Sequence, residues 1–242
     1  MGKVSPSVAG VTLSHVIDAL RAIAALGDPQ RARLYRAVRE AGTPVTRADA
    51  ARQVGISRKL AAFHLDRLVD TGLLEASYDR PAGTAARLGR SPKRYRASGV
   101  EVEVSVPERH YDVVGEILVD ALEHARRDET PTAAVDRVAY ARGHRLGADT
   151  RATRRLGRLG PERATTVLVE LLAGLGFEPA SDAGGVVQRN CPFDRLAQRS
   201  PLLVCGMNLR LVEGMLDGLG ASRLTAALTP AEGRCCVLVS AA

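Results

Sequence analysis

A pair of short amphipathic patterns, with a helix-breaking glycine in the turn between them, limits the folds open to this sequence more than any other feature. Apolar residues at helical spacing predict one helix over 47–54 and a second from Ser57 to about Asp70. Gly55 separates them, and Thr46 and Ser57 stand where a side-chain oxygen can cap a helix N-terminus. The apolar residues of the two patterns are Ala48, Ala51, Val54, Ala61, Leu65 and Leu68. Two helices whose apolar faces meet across a turn of about three residues form a helix–turn–helix.

Further helices and strands are predicted before and after this helix pair. A helix over 13–26 precedes it, and Asp28 followed by proline begins another. Two strands follow the pair, over 73–78 and 93–96, with the basic, glycine-containing stretch 80–92 between them. A strand hairpin with a long basic tip directly after the second helix is a wing.

The charge is concentrated in the same part of the chain. Residues 1–100 contain 17 Lys and Arg against 8 Asp and Glu, whereas residues 101–242 contain 17 against 19. A basic half joined to a near-neutral half indicates that one half binds a polyanion. The alternative is an ordinary arginine-rich, solvated surface.

The second helix of the pair has the residues that a DNA-reading helix needs. Ser57 and nearby backbone N–H groups can bind a phosphate at the helix N-terminus, and Arg58 and Lys59 can reach phosphates or guanine edges. His64 and Arg67 lie further along and are predicted to reach the backbone of the opposite strand. In the wing, the residues predicted to contact DNA are Arg87, Arg90, Lys93 and Arg94. The alternative is a solvated helical hairpin in an unrelated all-α protein.

The segment ALGDPQRARLYRAVREAGTPVTRADAARQVGISRKLAAFHLDRLVDTGLLEASY resembles the winged-helix regulators of the ArsR-like superfamily. The resemblance covers residues 20–97 and is carried by Leu26-Gly27-Asp28-Pro29, His64-Leu65 and Gly72-Leu73-Leu74. It implies a transcription regulator that binds double-stranded operator DNA. Some of these regulators bind a metal through cysteines in the recognition region. No cysteine occurs there in this chain, so a sensor must lie elsewhere.

The rest of the chain predicts a second, α+β domain built on a small antiparallel sheet. An apolar–acidic alternation over 100–106 predicts a short strand. Helices are predicted over 111–125, 132–145, 161–175 and 201–219, and further strands over 177–180, 186–190, 224–228 and 235–239. We therefore divide the chain into a winged helix–turn–helix domain (1–99), a linker with a candidate dimerisation helix (100–128) and a cysteine-bearing sensor domain (129–242). The alternative for the helix over 111–125 is a lid on the sensor core.

All four cysteines lie in the last quarter of the chain: Cys191, Cys205, Cys235 and Cys236. Cys191 is predicted at a strand-to-helix corner, Cys205 in the first turns of a helix and the adjacent pair at the start of a strand. Such chain ends can converge, and a helix N-terminus favours the thiolate that binds a metal. Strand alternation predicts that Cys235 and Cys236 point to opposite faces. The spacing matches no zinc ribbon, zinc finger or ferredoxin pattern, and small cysteines can also simply fill an aliphatic core.

The segment RNCPFDRLAQRSPLLVCGMNLRLVEGMLDGLG, with LTPAEGRCCVLV after it, resembles the C-terminal domain of SufR-like regulators. These are winged-helix repressors that control iron–sulfur cluster assembly genes. The resemblance implies an iron–sulfur cluster, of the 4Fe–4S type, on Cys191, Cys205 and Cys235. The fourth ligand stays open between Cys236, His144, Asn190 and an exogenous thiol or solvent. Zinc remains an alternative cofactor, since three thiolates and a fourth donor also make a closed zinc site.

Together these features predict a homodimeric repressor whose operator affinity is set by the cluster. A zinc-bound or thiol-redox regulator is the alternative. A cysteine-dependent enzyme is disfavoured because no cysteine has a nearby His–Asp or His–Asn pairing and no phosphate-binding glycine loop occurs. No apolar run approaches the roughly 18–20 residues of a membrane span and the N-terminus lacks a signal-peptide core, so we expect a cytoplasmic protein.

Overall fold

The computed structural model describes residues 13–78, 91–182 and 185–242. The chain divides after Val104 into two compact units. The first is a helical domain with a small sheet, and the second packs helices against an antiparallel sheet. The predicted α+β class is confirmed.

The first unit contains the elements that the sequence predicts and one short strand that it does not. In chain order they are α1 (Leu13–Leu26), α2 (Pro29–Ala41), β1 (Val45–Thr46), α3 (Arg47–Val54), α4 (Arg58–Asp70), β2 (Leu74–Ser77) and β3 (Arg94–Ala97). The strand order is β1-β3-β2, and both pairs are antiparallel. The predicted wing strands are confirmed. The residues between them at 79–90, which include Arg87 and Arg90, lie outside the described residues.

Local capping explains where the helices of this unit begin. The Asp28 carboxylate accepts the first free N–H groups of α2, and the Ser57 hydroxyl accepts the Leu60 N–H of α4. Thr46 and Asp49 form a capping box at the start of α3. Gly55 ends α3 with φ 76°, a left-handed conformation that favours glycine. The core side chains include Leu34, Val38, Ala51, Val54, Ala61, Leu65, Leu68, Leu74 and Tyr95.

The second unit begins with a segment that contains no regular structure until α5. Its elements are α5 (Tyr111–Glu123), α6 (Pro131–Thr153), α7 (Pro161–Ala173), β4 (Pro179–Asp182), β5 (Gly185–Gln188), α8 (Asp194–Arg199), α9 (Pro201–Leu219), β6 (Leu224–Leu228) and β7 (Val237–Ala241). The sheet order is β4-β5-β7-β6, antiparallel throughout. The core includes Ile117, Leu168, Leu172, Phe177, Phe193, Leu211, Met215 and Val237.

The helices α6 and α9 pack with their backbones in direct contact. A Cβ added to Gly143 or Gly147 of α6 would lie 1.9 Å or 2.4 Å from a carbonyl oxygen of α9. A Cβ at Gly214 or Gly218 of α9 would lie 2.1 Å from a carbonyl oxygen of α6. The four-residue glycine spacing on both helices is therefore what permits this close pairing.

Three expectations for this unit need correction. The predicted strand over 100–106 is not formed, because no neighbouring strand pairs with it. The helix predicted over 132–145 continues to Thr153, since its glycines serve packing and do not end it. The last strand begins at Val237, after the two cysteines, because its register is set by pairing with β6. In the described parts of the chain, no helix is long and apolar enough to cross a membrane.

Candidate functional site

The outward face of α4 displays three of the nine residues predicted to bind DNA. Arg58, Lys59 and Arg67 are exposed, whereas the buried face consists of Ala61, His64, Leu65 and Leu68. The N-terminal turn of α4 therefore offers two cations beside free backbone N–H groups, which is an arrangement that suits phosphate.

His64 does not lie on that face. Its side chain is 6% exposed, on the side of α4 that packs on the core, so we do not retain it as a DNA contact. The next residue toward the N-terminus, Phe63, takes the outward position and is 64% exposed. The two rings meet edge-on with centroids 5.2 Å apart. Sequence reasoning omitted Phe63 and Leu60, which is 40% exposed, although continuing the helical period from Ala61, Leu65 and Leu68 would have found them.

Lys93 and Arg94 of the wing both have partners within the first unit. The Lys93 ammonium lies 2.6 Å from the Asp66 carboxylate of α4, and the Tyr95 hydroxyl donates to the same oxygen at 2.9 Å. Arg94 donates to the Pro44 carbonyl at 3.0 Å. Burial and the hydrogen bond to Asp66 raise the pKa of Tyr95 well above its usual range. These contacts tie β3 to α4 and fix the base of the wing.

The four cysteines of the second unit converge from three separate segments. Side-chain contacts link Cys191, which precedes α8, to Cys235, and link Cys236 to both Cys235 and Cys205 of α9. Cys235 is buried and the other three are half-buried. Both cysteines precede β7, so the predicted strand begins two residues too early. Burial nevertheless still alternates from Cys235, which is buried, through Cys236, which is half-buried, to the buried Val237.

N–H groups near these sulfurs favour the thiolate. The backbone N–H of Phe193 acts to lower the pKa of Cys191, and that of Val237 acts to lower the pKa of Cys235. The Asn208 amide of α9 also donates to the Cys235 Sγ, at 3.3 Å. N–H groups aimed at sulfur stabilise a thiolate relative to a thiol.

The pKa values of the metal-free thiols nevertheless lie above their usual range. The contact with Cys235 and then burial raise the pKa of Cys191, and burial raises the pKa of Cys205. Contact with Cys191 lowers the pKa of Cys235, but contact with Cys236 and burial outweigh it, giving about 11. The expected help from the N-terminus of α9 does not prevail at Cys205, because burial disfavours the charged form more strongly.

Two buried amide side chains near the cysteines have polar atoms without hydrogen-bond partners in the described part of the chain. Among the described residues, Asn208 Oδ1 and both polar atoms of the Gln188 side chain are buried without a hydrogen bond. Asn208 is 1% exposed and Gln188 is fully buried. The Gln188 carbonyl accepts the Cys235 N–H at 2.8 Å, so Gln188 is joined directly to the cysteine segment.

Asn190, one of the residues considered for the fourth ligand, is already fully engaged. Its amide donates to the carbonyls of Gly176 and Glu108, and its oxygen accepts from the Arg109 guanidinium. Arg109 also donates to the Cys191 carbonyl at 3.2 Å. The segment that opens the second unit is thereby bonded to the Cys191 segment.

His144, another of those residues, is exposed on α6, where it stacks on Tyr140 with ring centroids 6.4 Å apart. Of the protein residues considered, Cys236 is the one in contact with the other cysteines. Within the described residues, no three cysteine sulfurs all lie within 4.8 Å of one another. The potential ligand groups that do come this close are Asp120, Glu123 and His124, which are exposed.

Comparison with known families supports the first of these two sites. Residues 26–76 match a family model described as a helix-turn-helix domain. No curated protein matches the chain. The first unit is therefore a helix–turn–helix domain of the winged type, and the chain is a DNA-binding transcriptional regulator.

Proposed function

We propose that the protein is a homodimeric transcription repressor whose operator affinity depends on an iron–sulfur cluster, of the 4Fe–4S type. The observation that carries this proposal is the convergence of all four cysteines in the unit that does not contain the helix–turn–helix. Cys191, Cys205 and Cys235 are the proposed ligands, and Cys236 is our candidate for the fourth position. A regulator with a separate thiolate site is suited to sensing iron, oxygen or redox state.

The chemistry of the surroundings fits an anionic sulfur-rich group. A cluster on thiolates carries negative charge, and its sulfur atoms accept N–H hydrogen bonds that tune its potential. The Asn208 amide already donates to the Cys235 sulfur, and the backbone N–H groups of Phe193 and Val237 act to lower the pKa of Cys191 and Cys235. The unpaired Gln188 side chain is a further buried donor on the strand that leads to Cys191. A purely apolar core would leave these buried amides without hydrogen-bond partners, which is unfavourable.

Zinc remains the alternative cofactor for the same cysteines. Tetrahedral zinc binds each thiolate at about 2.3 Å, which places any two sulfurs roughly 3.8 Å apart. No three cysteine sulfurs in the described chain are all within 4.8 Å of one another. A closed zinc site on three of these thiolates would therefore require the cysteine segments to move. The pairwise contacts of the cysteines do not decide between the two groups, and the metal assay below does.

Regulation then depends on the hydrogen bonds that connect the Cys191 segment to the start of the second unit. When bound, the cluster supplies an oxygen- and redox-sensitive link between the three cysteine segments. The Arg109 guanidinium donates to the carbonyl of Cys191 and to the side chain of Asn190, and the backbone N–H of His110 donates to the Pro192 carbonyl. These hydrogen bonds fix the residues that follow Val104 relative to Cys191. A dimer must present its two recognition helices to half-sites roughly 34 Å apart. If cluster binding favours one spacing of these helices, the occupancy of the cluster site changes the DNA affinity.

The proposal is tested by preparing the full-length protein anaerobically and assaying iron, sulfide and zinc per chain. We expect iron and sulfide in wild type and their loss in Cys191→Ser, Cys205→Ser and Cys235→Ser, because a hard hydroxyl oxygen replaces a soft thiolate. Cys236→Ser is expected to retain less cluster than wild type. A thermal melt of each variant separates ligand loss from unfolding.

DNA binding completes the test. Loaded and cluster-free protein are compared by gel shift on a duplex selected by the protein, and an affinity difference of about 5–150-fold is expected for a typical coupled effector. Stoichiometric zinc with a colourless protein would contradict the cluster. If neither metal is bound, the contact between Cys191 and Cys235 favours a thiol redox switch instead.

A further inference from the structure

Phe63 is an unusual residue to find on the outer face of a recognition helix. Its side chain is 64% exposed, and its ring has an aromatic contact with the buried ring of His64. Packing against His64 restricts the ring without covering it. A large aromatic group held in this way in solvent has apolar surface available for a binding partner.

The neighbours of Phe63 indicate which kind of partner fits. Lys59 and Arg67 lie four residues before and after it, so all three occupy one stripe of α4, and both cations are exposed. This stripe presents an apolar ring between two positive charges. The surrounding sequence is also strongly basic, with 17 Lys and Arg against 8 Asp and Glu in residues 1–100. Charge complementarity therefore favours a polyanion over an apolar protein surface.

Double-stranded DNA offers one prominent apolar group in the major groove, the C5-methyl group of thymine. A recognition helix that places Lys59 and Arg67 on phosphates or base edges brings the ring between them against the base edges. We propose that Phe63 binds the methyl group of a thymine in each half-site and is thus a specificity-determining residue. This inference rests on the DNA-binding part of the proposed function and is independent of the cluster.

The test begins with duplexes selected from a randomised library by the wild-type protein. Each thymine of the enriched sequence is then replaced by deoxyuridine, which pairs identically but lacks the methyl group. For wild type we expect one position per half-site at which the replacement weakens binding about fourfold, the value of one buried methyl group, and about 15-fold when both half-sites are changed. Phe63→Ala should bind the thymine duplex more weakly and should be indifferent to deoxyuridine at that position. Phe63→Leu, which keeps an apolar side chain, should retain part of the discrimination.

Lys59→Ala provides the matched control on the same stripe. It should weaken binding to thymine and deoxyuridine duplexes equally and reduce the salt dependence. Indifference of wild type to every deoxyuridine replacement, or unchanged discrimination in Phe63→Ala, would overturn the inference and leave the DNA-binding function standing. A Phe63→Ala variant that binds DNA normally but loses self-association would assign the ring to a contact between copies of the chain. Failure of wild type to enrich any duplex would overturn the DNA-binding function itself.

Discussion

Arg58 and Lys59 are exposed in the first turn of α4, directly after the Ser57 cap. We expect the double variant Arg58→Ala, Lys59→Ala to weaken operator binding strongly while the fold is kept. A lost guanine contact costs roughly 1–3 kcal/mol, and a lost phosphate contact reduces the salt slope by about one. Gel-shift titrations at several salt concentrations measure both effects. An unchanged affinity and an unchanged slope would show that α4 is not the reading helix.

Asn208 is the residue whose replacement best separates cluster binding from ordinary core packing. Its amide donates to the Cys235 sulfur, and its Oδ1 is buried without a partner among the described residues. Asn208→Leu has nearly the same size and removes both the donor and the unpaired oxygen. Removing a buried unsatisfied atom is neutral or favourable, so the melting temperature of the cluster-free protein should stay constant or rise. The cluster itself should be lost faster because the N–H···S bond is gone.

The measurement follows the visible absorbance of anaerobically loaded protein after addition of a chelator, with a parallel melt of the cluster-free form. Leu209→Met, at the next position of α9 and without a polar group, is the matched control. Equal cluster lifetimes in Asn208→Leu and wild type would assign Asn208 to packing alone.

Among the elements, the α6–α9 pair tolerates little added volume at its contact. Gly147→Ala would place a methyl group 2.4 Å from the Met215 carbonyl oxygen, and the obstacle is backbone, which cannot rotate away. Overpacking of this kind costs typically about 1–3 kcal/mol. Gly115→Ala on α5 is the matched control, because nothing lies within 4 Å of the added Cβ. Replacing a helical glycine there should stabilise by roughly 0.5–1 kcal/mol. Urea unfolding of both variants would measure these opposite signs, and equal effects would contradict the close helix contact.

Local signals explain which elements the sequence predicts well. The starts of α2, α3 and α4 depend on caps at Asp28, Thr46 and Ser57, and each cap acts within its own turn. The outer face of α4 is only partly predicted. The polarity of His64 predicts an outward side chain, whereas the helical period of Ala61, Leu65 and Leu68 places it on the core side, where the structure has it.

Contacts between segments far apart in the sequence explain which features the sequence does not predict. The start of β7 depends on its register with β6, where Val237 pairs with Leu228. The contacts of Cys205 with Cys236 also join segments that are 31 positions apart, as their numbers show. Strand β1 has two residues and exists only because β3 pairs with it. No local pattern contains these facts, so spacing alone does not predict which cysteine segments converge.

For the whole molecule, the proposed dimer needs an exposed apolar surface, and α5 provides one. Its inner face packs into the core through Val114 and Ile117, whereas Val119 is 53% exposed and Leu122 is 76% exposed. The helix therefore acts as a lid on the core and still offers a free apolar face. We expect Val119→Glu with Leu122→Glu to convert a dimer to a monomer and to weaken binding to a two-half-site operator much more than to a single half-site.

Light scattering on a sizing column gives the mass, and gel shifts on both duplexes give the affinities. Leu202→Glu is the control, since Leu202 is 92% exposed and lies on a different helix of the same unit. A dimer that survives in the α5 variant would move the proposed seam to another surface.

Arg109 connects the cysteine site to the segment that opens the second unit. The Arg109 guanidinium donates to Asn190 and to the Cys191 carbonyl, and lies 3.8 Å from the Asp194 carboxylate. Arg109→Ala should keep the three ligand cysteines and the recognition helix intact, so the cluster content and the DNA affinity of the cluster-free protein should match wild type. The ratio between the DNA affinities of its cluster-loaded and cluster-free forms should move toward one. Arg189→Ala, an exposed arginine two positions before Cys191, should leave that ratio unchanged. A variant that loses iron would show that Arg109 holds the site together, and a variant with the full wild-type ratio would show that the signal takes another route.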